Sequence, residues 1–417
     1  MSHIQKITQE IVPIGSISSF SLVGDPCCKG IGTSMLRIYM ETLYRAGEDD
    51  FTMILGDLVP RGYPQFYRFF ENFTELAASN DIYGLRGNHD VNGYSQVLGL
   101  HNYALMARDF TIIALDNASG SFEEEGLDLT RRVLAMDDVK NVILAFHIPL
   151  PNHFKNKNVS ESEADRLRAA IAEGKDKVRY IVCGHVHSRY EDVFDGIPML
   201  CIGGGGAPLE DLNDEIKASD VRYHLCRFWL MGGKLHYHYE EIRSLGWKKE
   251  SGHEILRRRI EDAIHGEMYT HLRYRVMADR AVDRGYPQIA NLFRALAESE
   301  YRHARNFYLL LEHNAPLDEM MASFHTNESY LAQTHYPAIS KYAYQEGAPL
   351  TSYAFDFAAK AEEIHEELLQ ALTDPDQYQG GTLYVCPICG NVMTSIEGHL
   401  VCDVCGYYCH SFIKFEA

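Results

Sequence analysis

Two short phrases in the second half of the chain, Glu300-x-x-His303 and Glu362-x-x-His365, each set a carboxylate and an imidazole three residues apart. Residues at i and i+3 are neighbours on a helix surface, so each pair can close on one metal ion. A bundle can bring two such pairs face to face around a dinuclear site. That site needs one more carboxylate from each remaining helix, and Glu267 and Glu328 stand in those slots. A lone E-x-x-H is ordinarily a solvated helix face. Two of them, each with a carboxylate helix upstream, form the informative pattern.

The first half holds a second set of metal-ligating types. Gly24-Asp25-Pro26-Cys27, Gly56-Asp57 with Arg61, Gly87-Asn88-His89-Asp90 and Gly184-His185-Val186-His187 follow one another, with His147 before the last. Oxygen and nitrogen ligands converging at strand ends suit two divalent ions that activate a water and clamp a phosphoryl group. Singly, each phrase reads as a turn or a structural histidine; the ordered set is specific. Gly30-x-Gly32 lacks the Gly-Lys-Ser/Thr ending of a P-loop and reads as a loop. Gly203 to Gly206 reads as a place where the backbone passes close to the site. At the C-terminus, Cys386-x-x-Cys389 and Cys402-x-x-Cys405 make two knuckles able to close one tetrahedral sulfur site for iron or zinc.

Length and charge bound what these sites serve. A chain of 417 residues allows two or three domains. Its 58 acidic side chains against 39 Lys and Arg, a formal charge of −19, argue against broad attraction to nucleic acid or an anionic membrane. The start, MSHIQKITQE, lacks a basic segment leading into an apolar one, and no apolar run approaches a membrane span. A soluble cytoplasmic protein is expected. Of ten cysteines, the six outside the knuckles are scattered, which fits a reducing compartment better than a disulfide framework.

The elements that must position these groups change character along the chain. From Ser18 to about Tyr239, β-type runs such as FSLVG, FTMILGD, NVILAFH and RYIVCGH alternate with helical ones, which predicts an α/β layered domain. The polar stretch from Ser244 to Gly252 reads as a linker. Helical periodicity then predicts helices near 254–283, 287–313, 327–346 and 350–372, broken at Gly285-Tyr286-Pro287 and Gly347-Ala348-Pro349. A last boundary falls at Asp374-Pro375 and Gly380-Gly381. The expected domains are therefore 1–245, 253–375 and 380–417.

The ordered phrases of the first half resemble the calcineurin-like metallophosphoesterases across roughly residues 15 to 240. The resemblance implies a β-sandwich flanked by helices and two divalent metals, manganese, iron or zinc. It implies that Asp57 bridges the metals, that Asp25 and His187 complete one site, and that Asn88, His147 and His185 complete the other. His89 would protonate the leaving alcohol, Asp90 would orient His89, and Arg61 would hold a phosphate oxygen. Cys27 departs from the pattern, which usually has histidine there. Its thiolate is a softer metal ligand, a residue open to oxidation, or an unligated buried cysteine.

From about Ile255 to the end the chain resembles rubrerythrin, on HGEMY, RGYPQIANLF, AESEYRHARNF, NESY and AEEIHEELL, and on the knuckles CPICG and CDVCG. This implies a ferritin-like four-helix bundle with a di-iron centre held by Glu267, Glu300, His303, Glu328, Glu362 and His365. It implies two-electron reduction of peroxide, fed by one Fe(Cys)4 relay from an unknown redox donor; zinc in a purely structural knuckle is the alternative. Leu331 stands where the family carries an extra glutamate, which leaves a plain four-Glu, two-His set. By the same analogy a homodimer is expected. Three functions follow: a bifunctional enzyme acting on a small phosphate ester and on peroxide in oxidative-stress defence, a phosphodiesterase gated by an iron-based sensor, or an iron-binding protein with a scaffold phosphoesterase domain.

Overall fold

The computed structural model describes residues 2–30, 33–154, 157–213, 216–242, 254–311, 317–370 and 380–416. The expected linker at 244–252 and the boundary at Asp374-Pro375 lie outside them. The chain divides into two compact units, residues 1–313 and 314–417. That division falls inside the segment 253–375 expected to be one domain.

In the first unit, two sheets form the core of an α/β domain. One holds seven strands in the order β1 (Ile11–Gly15), β5 (Tyr103–Ala107), β6 (Thr111–Ala114), β7 (Val142–Ala145), β8 (Val178–Cys183), β10 (Ile197–Ile202) and β9 (Arg189–Phe194). The other runs β12 (Lys234–Glu241), β11 (His224–Met231), β2 (Ser19–Val23), β3 (Phe51–Ile54) and β4 (Asp81–Gly84). Pairing is parallel through β2, β3 and β4 and through β6, β7 and β8, and helices make the connections. Parallel strands packed on both faces read as continuous apolar runs, and β3, β6 and β7 are buried at every residue.

Between the sheets lies a core of Phe20, Leu22, Met53, Leu105, Ile112, Ile143, Val182 and Leu200. The outer faces are covered by α1 (Ser34–Ala46), α2 (Pro64–Ala77) and the single turn α3 (Tyr94–Val97) on one side, and by α4 (Glu124–Leu134) and α5 (Glu161–Ile171) on the other. The expected sandwich flanked by helices is thus present. Its strands end at Gly24-Asp25, Gly56-Asp57, Gly87-Asn88, His147 and Gly184-His185, so the fold delivers every ligand phrase to a strand end.

The unit continues into two long helices, α6 (Glu254–Asp283) and α7 (Pro287–Leu311). Gly285 ends α6 with a left-handed φ of +79°, and the Tyr286 amide donates to the Ala281 carbonyl at 2.8 Å, the bond pattern of a glycine C-cap. Pro287 then opens α7, where its missing N–H costs nothing.

In the second unit the same punctuation recurs. Helix α8 (Leu317–Tyr330) passes through a π turn at Leu331–His335 into α9 (Tyr336–Gln345), and Gly347, with φ +69°, caps it before Pro349 opens α10 (Pro349–Gln370). The third helix therefore begins ten residues before the expected 327. A small sheet, β14 (Val392–Met393), β13 (Leu383–Val385) and β15 (Ile413–Phe415), follows. No described helix is long and apolar enough to cross a membrane.

Phe20 stacks on Phe51, Phe110 and Phe228 with centroids 4.9–5.2 Å apart, joining the two sheets. Phe20→Ala should cost the two-sheet domain about 3–5 kcal/mol, read from its urea midpoint. A loss below about 1 kcal/mol would show that these rings do not hold the sandwich together.

Candidate metal centres

Two ligand groups share one residue at the strand ends of the sandwich. Cys27, Asp57 and His187 offer ligand atoms within 4.8 Å of one another, and so do Asp57, His147 and His185. Asp57 belongs to both. Asn88 joins the second group, its Oδ1 lying 3.0 Å from His147 Nε2, while the ring of His185 approaches the same nitrogen at 3.2 Å. Asp25 stands behind the first group with its Oδ1 3.7 Å from His187 Nε2. The residues named from the sequence as ligands are therefore gathered, Cys27 included.

The backbone is strained to achieve this. Asp25, Cys27, Asp57 and His185 have φ of +59°, +43°, +52° and +69°, a region that non-glycine residues seldom occupy and that clusters at functional sites. A glycine beside them is obligatory where chains nearly touch: a Cβ on Gly87 would sit 2.2 Å from the Asp57 amide nitrogen. A Cβ on Gly205 would meet the Gly24 carbonyl at 2.4 Å, which is the close passage expected of the Gly203–Gly206 run.

The electrostatics call for cations. Burial and the neighbouring negative charge of Asp57 push the Asp90 carboxyl up to about 7. Burial also pushes up Asp25, against the charge of His147. Burial opposes ionisation of Asp57 too, but the charge of His147 outweighs it and holds that carboxyl down at about 2. Burial opposes the charged form of His147 as well, and Asp57 overrides it, lifting the imidazole to about 10. Burial first, then Asp25 and Asp57, raise the Cys27 thiol. Carboxylates, imidazoles and a thiol crowded out of water fit a pair of divalent metals, whose charge would release the protons.

One expected role is placed differently. Asp90 does not orient His89; its carboxylate accepts the backbone amides of Gly87, Leu58 and Val59 at 2.9–3.2 Å, tying two ligand loops together. His89 is instead held through Nδ1, 2.8 Å from the Pro60 carbonyl, which leaves Nε2 facing Asp57 Oδ2 at 3.9 Å. Arg61 follows in the same loop with an exposed side chain. Supporting residues outside the motifs also emerge. Asn117 Oδ1 accepts the amides of His147 and Ile148, the Leu55 carbonyl contacts His147 Nδ1 at 2.8 Å, and Glu210 accepts the His187 amide. Nothing in their local sequence marks them.

Each helical hairpin carries its own group. On α6 and α7, His303 Nδ1 lies 3.0 Å from Glu300 and 3.7 Å from Glu267. In the second unit, His365 Nδ1 lies 2.7 Å from Glu362 and 4.0 Å from Glu328. The hydrogen-bonding contact with Glu362, then burial, push Glu328 up to about 7, and no donor from the surrounding protein reaches its buried Oε2. Carboxylates pressed together in this way fit metal ions better than water.

His365 Nε2 lies 3.3 Å from the Gly390 carbonyl. A proton on Nε2 frees Nδ1, on the glutamate side, as a metal ligand. Gly390 directly follows Cys389. The four thiols of Cys386, Cys389, Cys402 and Cys405 converge, with Sγ pairs 3.6 Å apart, and Gly390 and Gly406 turn each knuckle with φ of +80° and +77°. Burial would raise Cys402, but the amides of Cys405 and Val404 bring it down to about 7, as suits a thiolate ligand. Cys409 is buried outside the group.

Fold and ligand groups together define a protein with a two-sheet α/β module that gathers paired metal-ligating groups and a carboxylate–histidine helical module. Residues 22–189 match the calcineurin-like phosphoesterase family, and residues 259–373 match the rubrerythrin family. Nigerythrin of Nitratidesulfovibrio vulgaris is 31% identical over 161 residues, 35% of this chain and 79% of that protein. Rubrerythrin-2 of Clostridium acetobutylicum is 27% identical over 175 residues, 37% and 94%. A probable cyclic nucleotide phosphodiesterase of Rhodococcus erythropolis is 27% identical over 208 residues, 44% and 66%. The chain belongs to the rubrerythrin family and carries a calcineurin-like phosphoesterase domain ahead of that part.

Loading the first site with Mn2+ should release protons. Asp90 holds a proton at pH 6 and has largely lost it at pH 8, whereas His147 and the raised Cys27 thiol hold theirs at both. A pH-stat titration should therefore show larger release at pH 6 than at pH 8, and Asp90→Asn should abolish that difference. Equal release at both values would remove Asp90 from the account.

Proposed function

We propose that the chain is bifunctional, hydrolysing a small phosphodiester at the sandwich and reducing peroxide at the helical site. The observation that carries the hydrolase reading is Asp57, shared by two ligand groups beside a histidine held for proton transfer. Two divalent metals would supply a deprotonated water and neutralise phosphoryl charge. His89, fixed by Pro60, would donate its Nε2 proton to the leaving oxygen, and Arg61 would hold a phosphoryl oxygen in its planar fork. Asp90 serves by fixing the loops of Asp57 and Asn88.

For the redox half, the supporting observation is the Gly390 carbonyl on His365, which joins the sulfur cage to a helical ligand within one unit. A paired iron site supplies one electron from each ion, so that peroxide, two electrons and two protons give two waters. Glu267, Glu300, His303, Glu328, Glu362 and His365 would hold it, and Cys386, Cys389, Cys402 and Cys405 would hold the iron that passes electrons from an outside donor.

His89→Asn should lower turnover of an alkyl phosphodiester by about 10²–10⁴-fold while affecting an activated aryl diester far less, because only the poor leaving group needs the proton. Equal losses on both esters would count against His89 as the acid. Glu300→Ala should end peroxide consumption by the reduced protein and leave aryl diester hydrolysis unchanged. Undiminished peroxide consumption would sink the redox half.

A further inference from the structure

Cys27 and Cys28 are neighbours in sequence and part company in the fold. Cys28 belongs to the core cluster beneath α1 and α2, with Tyr39, Leu43 and Phe70. Cys27 turns to the site, where its sulfur lies within 4.8 Å of ligand atoms of Asp57 and His187. The backbone sets this division. The chain leaves β2 through Gly24 and takes a left-handed φ at Asp25 and again at Cys27, on either side of Pro26. The amides of Asp25, Cys27 and Cys28 then donate to the carbonyls of Gly56, Asp57 and Leu58 at 2.8–3.2 Å, so the two ligand loops run side by side. Residue 27 is thereby aimed at the Asp57 carboxylate whatever its side chain.

Two other buried cysteines show what a structural thiol does in this domain. Cys183 Sγ contacts the Leu200 carbonyl at 3.5 Å, and Cys201 Sγ contacts the carbonyls of Gly184 and Val186 at 3.6 Å. Carbonyl oxygens suit a neutral S–H, which is a weak donor. Cys27 keeps different company: Asp57, His187, and Asp25 two residues back, whose Oδ1 lies 3.7 Å from His187 Nε2. Carboxylates repel a thiolate unless a cation sits among them.

The sulfur also makes the two halves of the site unlike. Asp57 with Asn88, His147 and His185 offers only oxygen and nitrogen, whereas Asp57 with Cys27, His187 and Asp25 offers sulfur as well. Thiolate favours zinc, while carboxylate and carbonyl oxygens suit manganese and magnesium. Sulfur, imidazole nitrogen and carboxylate oxygen are the ligand types of four-coordinate zinc.

We infer that Cys27 binds the metal of its half-site as a thiolate and makes that position select Zn2+ over Mn2+. The inference rests on the reading of the sandwich as a dinuclear metal site, and it fixes which ion one half takes. Asp57, His187 and Asp25 would hold that ion with it.

Co2+ reports the bond, because a thiolate bound to it gives a near-ultraviolet charge-transfer band that oxygen and nitrogen ligands lack. Full-length protein and its Cys27→Ser variant are loaded with Co2+, and subtracting one spectrum from the other cancels the four-sulfur cage common to both. The difference should show that band. Against chelator-buffered ions, Cys27→Ser should lose Zn2+ affinity at one site by at least about 10²-fold, beyond the roughly 10–100-fold cost of losing a merely supporting group. Its Mn2+ affinity should change far less. Cys27→His should remove the band and still bind both ions. Two ions in the sandwich with no band in the difference, or an unchanged preference for Zn2+ in Cys27→Ser, would overturn the thiolate assignment. Equal metal content in wild type and Asp57→Asn would instead remove the dinuclear reading, and the inference with it.

Discussion

Carboxylates brought together away from water must share protons, find cations or move apart, and this chain makes that demand in three places. Asp25, Asp57 and Asp90 are almost fully buried; Glu267 faces Glu300, and Glu328 faces Glu362. The cost of burying like charges is far larger than the few kcal/mol by which a domain is stable. The surrounding structure is arranged to hold these groups together regardless. Left-handed backbone at four ligand positions, glycines at close crossings and carbonyl contacts on three of the site's histidine rings all fix donors before a metal arrives. Preformed donor sets of this kind lose little conformational entropy on loading.

The two modules solve the positioning problem differently. In the sandwich, ligands come from five separate loops, and a rigid parallel core sets their spacing. In the helical part, spacing along one helix does the same work over three residues, and a second helix needs only to supply one glutamate. The first solution tolerates a foreign ligand such as Cys27, because its loop is tied by the Cys27 and Cys28 amides to the carbonyls of Asp57 and Leu58, independent of the side chain.

This difference also explains what was legible in the sequence. Ligands on helices and knuckles announce themselves by local spacing, and the strand-end phrases do so by order. Contacts that join distant segments do not. Asp90 follows His89 in sequence, yet two of its three hydrogen bonds go to a loop some thirty residues earlier, so adjacency suggested the wrong partner. Asn117 and Glu210 support ligands thirty and twenty-three residues away and carry no motif of their own. The start of α8 was hidden because Leu317 to Thr326 has weak amphipathic order, whereas the glycine–proline breaks were plain.

The contact between the Gly390 carbonyl and His365 Nε2 has a consequence for the order in which metals are taken up. Gly390 directly follows Cys389, so an empty or oxidised sulfur cage would release that carbonyl and let the imidazole turn its proton toward the glutamates. A filled cage therefore readies the neighbouring helix for an ion of its own.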